Sequence, residues 1–304
     1  MKVFVTGVGG QLGRDVMNEL AKRGIEGVGS DIAPSFSGIM DGSAVTTMPY
    51  VQLDITDEQA VSKVLSEVRP DALIHCAAWT AVDAAEDEEN IPKVMAINEK
   101  GTEYLAKAAK DLDISMMYIS TDYVFNGQGE KPWEPDCKEY APLNVYGKSK
   151  LAGEKAVTAN LEKYFIIRIA WVFGQNGKNF IKTMLNVGKT HDEVRVVNDQ
   201  IGTPTYTLDL SVLLVDMIQT DKYGYYHATN EGGYISWYDF TKEIYAQAGY
   251  STRVNPVTTE EYGISKAARP FNSRLDKSKL IEAGFTPLPD WKDALGRYLK
   301  VIEY

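Results

Sequence analysis

Tyr146 and Lys150 are the residues whose types and spacing most clearly suggest chemistry. They lie four positions apart in the segment NVYGKSKLAGEK, so on a helix both side chains project from the same face. A phenol can donate a proton to an oxygen that gains negative charge as a carbonyl is reduced. A neighbouring ammonium stabilises the phenolate and lowers the phenol pKa from its ordinary value of about 10. The spacing therefore predicts that Tyr146 is an acid and that Lys150 assists it.

A hydroxyl group ends a predicted strand just before that pair. Ser120 and Thr121 lie in the segment ISTDYVF, and ligands of open parallel sheets bind outside the carboxyl ends of strands. Thr121 could therefore hydrogen-bond a substrate carbonyl, although a hydroxyl there also suits a strand end or a helix cap. In isolation, a packed tyrosine with a solvated lysine would be the better explanation of YxxxK. The order of glycine loop, strand-end acid, hydroxyl and YxxxK favours the catalytic interpretation.

The glycine loop is TGVGGQLG, which occupies residues 6–13 immediately after the first predicted strand. Gly7 permits a tight turn, Gly10 lets the backbone approach a pyrophosphate, and Gly13 lets helix and strand pack closely. The start of the following helix supplies unpaired N–H groups, and Gln11 and Leu12 are predicted to lie under the phosphates. A strand-to-helix turn is the context that this motif requires. The loop therefore predicts a dinucleotide site.

Asp31 ends the second predicted strand, 18 residues after Gly13. An acid near this offset accepts hydrogen bonds from the adenosine ribose, and a solvated turn residue is the alternative. No arginine follows it, and a carboxylate should repel a 2′-phosphate, so NADH is expected to serve at least as well as NADPH. Asp54 and Ile55, after the third strand, are predicted neighbours of the adenine.

Further cofactor contacts are predicted after the fourth strand and on two helices. The segment HCAAWTAVD contains Ala77 and Ala78, which leave room for a dinucleotide, and Thr80, which can contact its ribose or phosphate. Asn98, in the next helix, either joins a proton relay or bonds the backbone. Lys150 is also predicted to hold the nicotinamide ribose, beside Tyr146.

The elements that must position these residues alternate along the first half of the chain. Strands are predicted at 3–6, 27–30, 72–76, 116–120 and 165–170, and helices at 12–22, 58–68, 91–112 and 147–158. This alternation predicts an α/β fold with a doubly wound parallel sheet, the Rossmann arrangement. Residues 1–170 are predicted to bind the dinucleotide, with a return of the chain at about 200–230. Residues 171–304 are predicted to form a smaller, discontinuous substrate-binding region.

Composition narrows the class of protein. The 304 residues carry a formal net charge of −10 without clustered basic residues, which argues against nucleic-acid binding. Only two cysteines, Cys76 and Cys137, are present, and neither they nor the three scattered histidines predict a metal site.

No apolar run reaches the roughly 18 residues of a membrane span, and no signal peptide is predicted at the N-terminus. A cytoplasmic protein without membrane partners is expected.

Together these motifs resemble the extended short-chain dehydrogenase/reductase superfamily and, within it, the dTDP-4-dehydrorhamnose reductase family. The resemblance covers nearly the whole chain, and it is carried by TGVGGQLG, LDITD, HCAAWTAVDAAE, STDYVFNG, YGKSKLAGE, RIAWVFG, GKNF, VVNDQIGTPT, SWYDF and ARPFNS. It implies NAD(P)H-dependent reduction of the C4 ketone of dTDP-4-dehydro-L-rhamnose to dTDP-L-rhamnose, a donor for cell-envelope polysaccharide. Thr121, Tyr146 and Lys150 would be catalytic.

The resemblance also implies substrate contacts. These fall on Trp171, Asn179, Gln200, Thr203 and Arg269, of which Trp171 could offer a flat face to the sugar or simply pack. Some members of the family resemble dimers bridged by a metal ion that interface carboxylates bind. Asp15 lies in the first predicted helix of this chain, but the sequence shows no clear cluster of acidic residues. Magnesium is therefore a possible cofactor that the sequence does not support. A monomer or a homodimer is expected.

Two other functions are compatible with the same motifs. A nucleotide-sugar epimerase or dehydratase would use the same Tyr146 and Lys150 but keep its nicotinamide cofactor through the cycle. A regulatory subunit of the methionine adenosyltransferase type would keep the fold without turnover. Stoichiometric consumption of NAD(P)H separates these alternatives from the reductase.

Overall fold

A seven-stranded sheet forms the centre of the computed structural model, which describes all 304 residues. All neighbouring strands are parallel, in the order β11-β6-β5-β4-β1-β2-β3. The strands of this sheet are β1 (Lys2–Thr6), β2 (Glu26–Asp31), β3 (Tyr50–Gln52), β4 (Ala72–His75), β5 (Ser115–Thr121), β6 (Tyr164–Ile169) and β11 (Gly224–His227). β4 and β5 are buried along their whole length, as expected of strands covered on both faces.

Helices cover both faces of this sheet and continue into the C-terminal part of the chain. They are α1 (Gln11–Lys22), α2 (Glu58–Val68), α3 (Ile91–Met95), α4 (Thr102–Asp111), α5 (Val145–Asn160), α6 (Phe180–Gly188), α7 (Thr207–Ile218), α8 (Trp237–Ala248), α9 (Thr259–Tyr262), α10 (Ser278–Glu282) and α11 (Trp291–Leu299). A π-helical stretch, Ala96–Gly101, joins α3 to α4, so residues 91–111 run as one helix.

Two apolar cores lie on opposite faces of the sheet. One contains Leu20 of α1 and Leu213 of α7, and the other contains Leu65 of α2, Leu105 of α4 and Val157 of α5. Burial on both faces favours the parallel arrangement, because each crossover helix places its apolar side against the sheet. The predicted doubly wound sheet is therefore confirmed.

The remaining strands are short and form four separate pairs beyond the central sheet. They are β7 (Val172–Phe173), β8 (Glu193–Val197), β9 (Ile201–Gly202), β10 (Thr205–Tyr206), β12 (Asn230–Glu231), β13 (Ile235–Ser236), β14 (Arg253–Val257) and β15 (Leu288–Asp290). A third apolar core, with Ile181, Phe240 and Leu295, holds α6, α8 and α11 together. This part of the chain lies beside the carboxyl ends of the central strands, where it lines one wall of a cleft.

The predicted elements of the first half lie within a few residues of the observed ones. β3 ends at Gln52, two residues before Asp54, and Asp54 is exposed. In the stretch 200–230, α7 packs on α1 and β11 pairs with β6 at the edge of the central sheet. The division into residues 1–170 and 171–304 stays a prediction. None of the helices is both long and apolar enough to cross a membrane.

Candidate active site

A cleft of about 820 Å³ opens at the carboxyl ends of the central strands. Most of the predicted site residues line it, from both the cofactor set and the catalytic set. These residues are Gly7, Gly10, Gln11, Leu12, Gly13, Asp31, Asp54, Ile55, Ala77, Ala78, Thr80, Thr121, Tyr146, Lys150 and Trp171. Residues far apart in the sequence therefore share one cavity, whose volume suits a small-molecule ligand.

Two glycines of the loop, Gly7 and Gly13, lie where a side chain would collide with the backbone. Gly7 has a φ of 71°, and a Cβ there would lie 2.6 Å from the Ala77 backbone nitrogen. A Cβ on Gly13 would lie 2.3 Å from the Gly7 carbonyl oxygen. Gly10 caps α1 without any side-chain hydrogen bond, so the first N–H groups of the helix are free to bind an anion. This backbone fits the pyrophosphate of a dinucleotide.

Substitution of Gly13 by alanine tests this loop. The added methyl must displace the turn at Gly7, so we expect dinucleotide binding to weaken about tenfold or more, with a loss of roughly 1–3 kcal/mol in the free energy of unfolding. Gly24→Ala is the control: alanine at its left-handed φ of 67° should also lose stability, but an added Cβ there has no atom within 4 Å and Gly24 does not line the cleft, so dinucleotide binding should be unchanged. Titration of each variant with NADH, followed by fluorescence, measures the effect. Wild-type affinity in Gly13→Ala would contradict the packing argument.

Asp31 is oriented by two backbone groups. Its Oδ2 accepts a hydrogen bond from the Gly9 N–H at 2.9 Å and its Oδ1 accepts one from the Ile32 N–H at 2.8 Å. The carboxylate therefore lies between the glycine loop and the end of β2. No arginine lines the cleft.

α5 presents Tyr146 and Lys150 to the cleft, one helical turn apart. The Asn144 side chain caps the helix by accepting from the Gly147 N–H at 2.7 Å, and Glu86 accepts from the Val145 N–H at 2.7 Å. These bonds fix where the helix begins. Thr121 ends β5 and lines the same cleft.

Burial is the largest influence on the pKa values of both Tyr146 and Lys150. It raises the pKa of the Tyr146 phenol well above its ordinary value, with the Thr121 hydroxyl acting in the opposite direction. The sequence predicted a lowered phenol pKa, and the difference arises because desolvation of the phenolate outweighs nearby polar groups in the protein alone. Burial also lowers the pKa of Lys150 to about 7, although Glu154 and Cys76 oppose the shift. The Lys150 ammonium lies 4.1 Å from the centre of the Tyr118 ring.

The Thr121 hydroxyl is held by a buried acid, Asp122, that was not among the predicted site residues. Thr121 Oγ1 donates to Asp122 Oδ1 at 2.9 Å and accepts from the Tyr123 N–H at 3.2 Å. Ser273 donates to the other Asp122 oxygen. Burial raises the pKa of Asp122 to about 6, against the effect of these hydrogen bonds. Its position next to Thr121 was the only signal available in the sequence.

A pair of stacked indoles forms the apolar wall of the cleft. The rings of Trp171 and Trp237 lie 3.7 Å apart at 17°, and both line the cavity. Trp171 has a φ of 51°, a left-handed conformation that costs about 1–3 kcal/mol for a residue with a side chain. The surrounding fold must impose that orientation. Trp237 was not predicted, because nothing local in the sequence connects it to Trp171.

Comparison with known proteins places this chain in a family. The family model described as RmlD substrate binding domain matches residues 1–303. The chain belongs to this family. A crystal structure of a dTDP-4-dehydrorhamnose reductase from Clostridium acetobutylicum is 40% identical, with a TM-score of 0.88 and 99% of each chain covered. The corresponding reductase from Bacillus anthracis, in complex with NADP, is 38% identical, with a TM-score of 0.88 and 99% of each chain covered.

A curated relative extends this agreement. The spore coat polysaccharide biosynthesis protein SpsK of Bacillus subtilis is 38% identical over 98% of this chain and 97% of its own length. The family predicted from the sequence motifs is therefore confirmed.

Five predicted site residues of this RmlD-family protein do not line the cleft. Asn98 is buried, accepts from the Trp79 N–H at 2.8 Å, and donates to the Trp79 carbonyl and the Ser149 hydroxyl. Asn179 caps α6 and donates to Gln11 Oε1 at 3.1 Å. Both asparagines hydrogen-bond to residues near the cleft. The cofactor contact predicted for Asn98 and the substrate contact predicted for Asn179 stay predictions.

The other three lie further along the chain. Gln200 donates to the Thr259 hydroxyl at 3.0 Å, and Thr203 donates to the Gly233 carbonyl at 3.0 Å. Arg269 donates to both Asp83 oxygens, at 3.0 and 2.7 Å. The sequence could not indicate that a nearby acid binds this guanidinium. The substrate contacts predicted for these residues also stay predictions.

The carboxylate of Asp15, considered for a metal, bonds to neighbours inside the protein. It accepts from Thr207 Oγ1 at 2.6 Å and pairs with Arg14 at 3.0 Å. No group of three or more His, Cys, Asp or Glu residues is placed to hold a metal ion.

Proposed function

We propose that this RmlD-family protein reduces the C4 ketone of dTDP-4-dehydro-L-rhamnose to dTDP-L-rhamnose with NADH or NADPH. The observation that carries the proposal is the single cleft that contains both the glycine loop and Thr121, Tyr146 and Lys150. The names of the Clostridium acetobutylicum and Bacillus anthracis structures support the substrate, and the NADP of the second supports the cofactor.

The chemistry divides between the cofactor and the protein. When bound, the reduced nicotinamide supplies a hydride to C4. The Tyr146 phenol donates its proton to the C4 oxygen as negative charge develops there, so that the ketone becomes an alcohol. The Lys150 ammonium stabilises the resulting phenolate, which offsets the desolvation that disfavours it. The Thr121 hydroxyl binds the C4 oxygen by turning its proton away from Asp122.

We also propose the residues that contact the nucleotide sugar. Trp171 and Trp237 present an apolar wall against which a sugar can lie. Asn179, Gln200 and Thr203 do not line the cleft, and their assignment to the surroundings of the sugar rests on the family resemblance. Arg269 suits the diphosphate because a guanidinium binds phosphate oxygens in pairs, as it now binds the two Asp83 oxygens.

The proposal also includes the division of the chain into two regions, its location in the cell and its oligomeric state. Residues 1–170, with the return at about 200–230, would bind the dinucleotide, and 171–304 would mainly bind the nucleotide sugar. Cys76 and Cys137 are free thiols, which suits a cytoplasmic location. We expect a monomer or a homodimer.

Asp31→Asn tests the cofactor preference, because it keeps the shape of the side chain and removes its charge. A carboxylate beside a 2′-phosphate is repulsive, so we expect the ratio of kcat/KM for NADH to that for NADPH to fall about tenfold. Asp31→Ala should move the ratio in the same direction. An unchanged ratio in both variants would mean that Asp31 does not face the adenosine ribose.

The reaction itself is tested by the loss of reduced-nicotinamide absorbance. Purified protein is mixed with dTDP-4-dehydro-L-rhamnose and NADH or NADPH in parallel, with a substrate-free control and identification of the sugar product. We expect one dinucleotide oxidised for each dTDP-L-rhamnose formed. A sugar product that is isomerised or dehydrated, formed without net oxidation of the dinucleotide, would indicate an epimerase or dehydratase, and cofactor binding without turnover would indicate a regulatory protein.

A further inference from the structure

Glu154 lies two helical turns beyond Tyr146 on α5, on the face that carries Lys150. Its side chain is 1% exposed and that of its partner Arg168 is fully buried. Arg168 Nε donates to Glu154 Oε1 and Arg168 Nη2 donates to Oε2, both at 2.8 Å. The Ser120 hydroxyl adds a third bond, to Oε1 at 2.6 Å. The carboxylate is therefore bound by both β6 and β5.

Arg168 connects this carboxylate to the rest of the site. It donates to the Pro135 carbonyl and to the Tyr140 hydroxyl, each at 3.0 Å, and both acceptors belong to the segment between β5 and α5. Ser120 immediately precedes Thr121 at the end of β5. One buried ion pair thus ties the helix of Tyr146 and Lys150 to the strand of Thr121.

Glu154 also acts on Lys150 through its charge. The titratable groups related to Lys150 come from three elements: Glu154 on α5, His75 and Cys76 at the end of β4, and Tyr118 on β5. Glu154 is the carboxylate among them and the largest influence opposing the desolvation of the ammonium. Without it, burial would favour the neutral amine more strongly.

We propose that Glu154 is a positioning residue: its bonds to Arg168 and Ser120 hold α5 against the end of β5, and its charge balances the Lys150 ammonium. The role rests on the proposed function, because it concerns the acid and its partner in that reaction. A buried ion pair alone does not imply such a role, since pairs of this kind are often replaceable by apolar residues without loss of stability.

The test follows Lys150 directly, with ¹³Cε-labelled lysine and NMR titration, and Lys150→Met identifies the signal. In Glu154→Gln we expect Lys150 to titrate about one pH unit lower than in the wild type. Because that variant leaves Arg168 buried without a partner, the double variant Glu154→Gln with Arg168→Met provides a charge-neutral version. A smaller downward shift is expected there, because removing the positive charge of Arg168 offsets part of the loss of the Glu154 negative charge.

Kinetics supply the second readout. At pH 7 we expect kcat of the double variant to fall about tenfold, and lowering the pH to 6 should restore part of it by protonating Lys150. Ser120→Ala removes one bond to Glu154 without changing any charge, so it should lower kcat without moving the Lys150 titration. A wild-type titration of Lys150 in the double variant would overturn the charge-balancing role, and a wild-type kcat in Ser120→Ala would overturn the positioning role.

Asp209 and Arg297 provide a matched control pair. Arg297 donates to both Asp209 oxygens at 2.7 Å, and neither residue lines the cleft. Asp209→Asn with Arg297→Met should leave the Lys150 titration unchanged, and a shift there would overturn the assignment to Glu154. If the wild type failed to reduce the keto sugar, the proposed function would fail, while the NMR titration would still decide whether Glu154 acts on Lys150.

Discussion

Replacing Tyr146 by phenylalanine should lower kcat by about 10²–10⁴, the usual contribution of a positioned acid. The phenylalanine ring keeps the packing against Tyr123, whose ring centre lies 5.6 Å from that of Tyr146. Only the proton donor is lost, so NADH binding should remain within a few-fold of wild type. Initial rates with dTDP-4-dehydro-L-rhamnose and a fluorescence titration with NADH measure the two quantities.

Tyr226→Phe is the control for that variant. Tyr226 is also buried, and its hydroxyl donates to the Lys222 carbonyl at 2.9 Å outside the cleft. It should lose some stability but no activity. If Tyr146→Phe bound NADH and reduced the substrate at the wild-type rate, Tyr146 would not be the acid.

Lys150→Met should lower kcat/KM by about 10³ and weaken NADH binding about tenfold. The first effect is the expected loss when a charged group no longer stabilises the developing phenolate. The second is the loss of a charge-assisted hydrogen bond to the nicotinamide ribose. Methionine fills similar space without charge, so the fold should persist. Lys148→Met is a control on the same helix, because Lys148 is exposed, and it should behave as the wild type.

The pH dependence of Lys150→Met is as informative as its rate. Burial lowers the pKa of Lys150 to about 7, so the ammonium is lost as the pH rises through that value. Wild-type activity should therefore decline above about pH 7, and that decline should disappear from the small residual activity of Lys150→Met. A decline of the same midpoint in the variant would assign the titration to another group.

Some features of the site were predictable because they depend on short stretches of chain. The turn at Gly7 and the packing at Gly13 follow from the geometry of a strand that leads directly into a helix. Tyr146 and Lys150 share a face because helix periodicity alone brings positions four apart together. The alternation of apolar runs with helical patterns likewise determined the parallel sheet, since each crossover needs a helix.

Other features depend on contacts between distant parts of the chain. The stacking of Trp171 on Trp237, the Ser273 hydrogen bond to Asp122 and the pairing of Arg269 with Asp83 each join segments more than 60 positions apart. No periodicity or motif encodes such a pairing. The direction of the Tyr146 pKa was missed for a related reason, because desolvation depends on everything packed around the phenol.

The nucleotide-binding turn, the sheet that carries it and the Tyr146–Lys150 spacing could be predicted from the sequence, because local backbone geometry controls all three. The acid that holds Thr121, the indoles that form the cleft wall and the partners that bind Glu154 became known only from the tertiary structure. Those contacts depend on the packing of α5, β5, β6 and the C-terminal elements around the carboxyl ends of the strands. Packing at that edge of the sheet is a property of the whole chain.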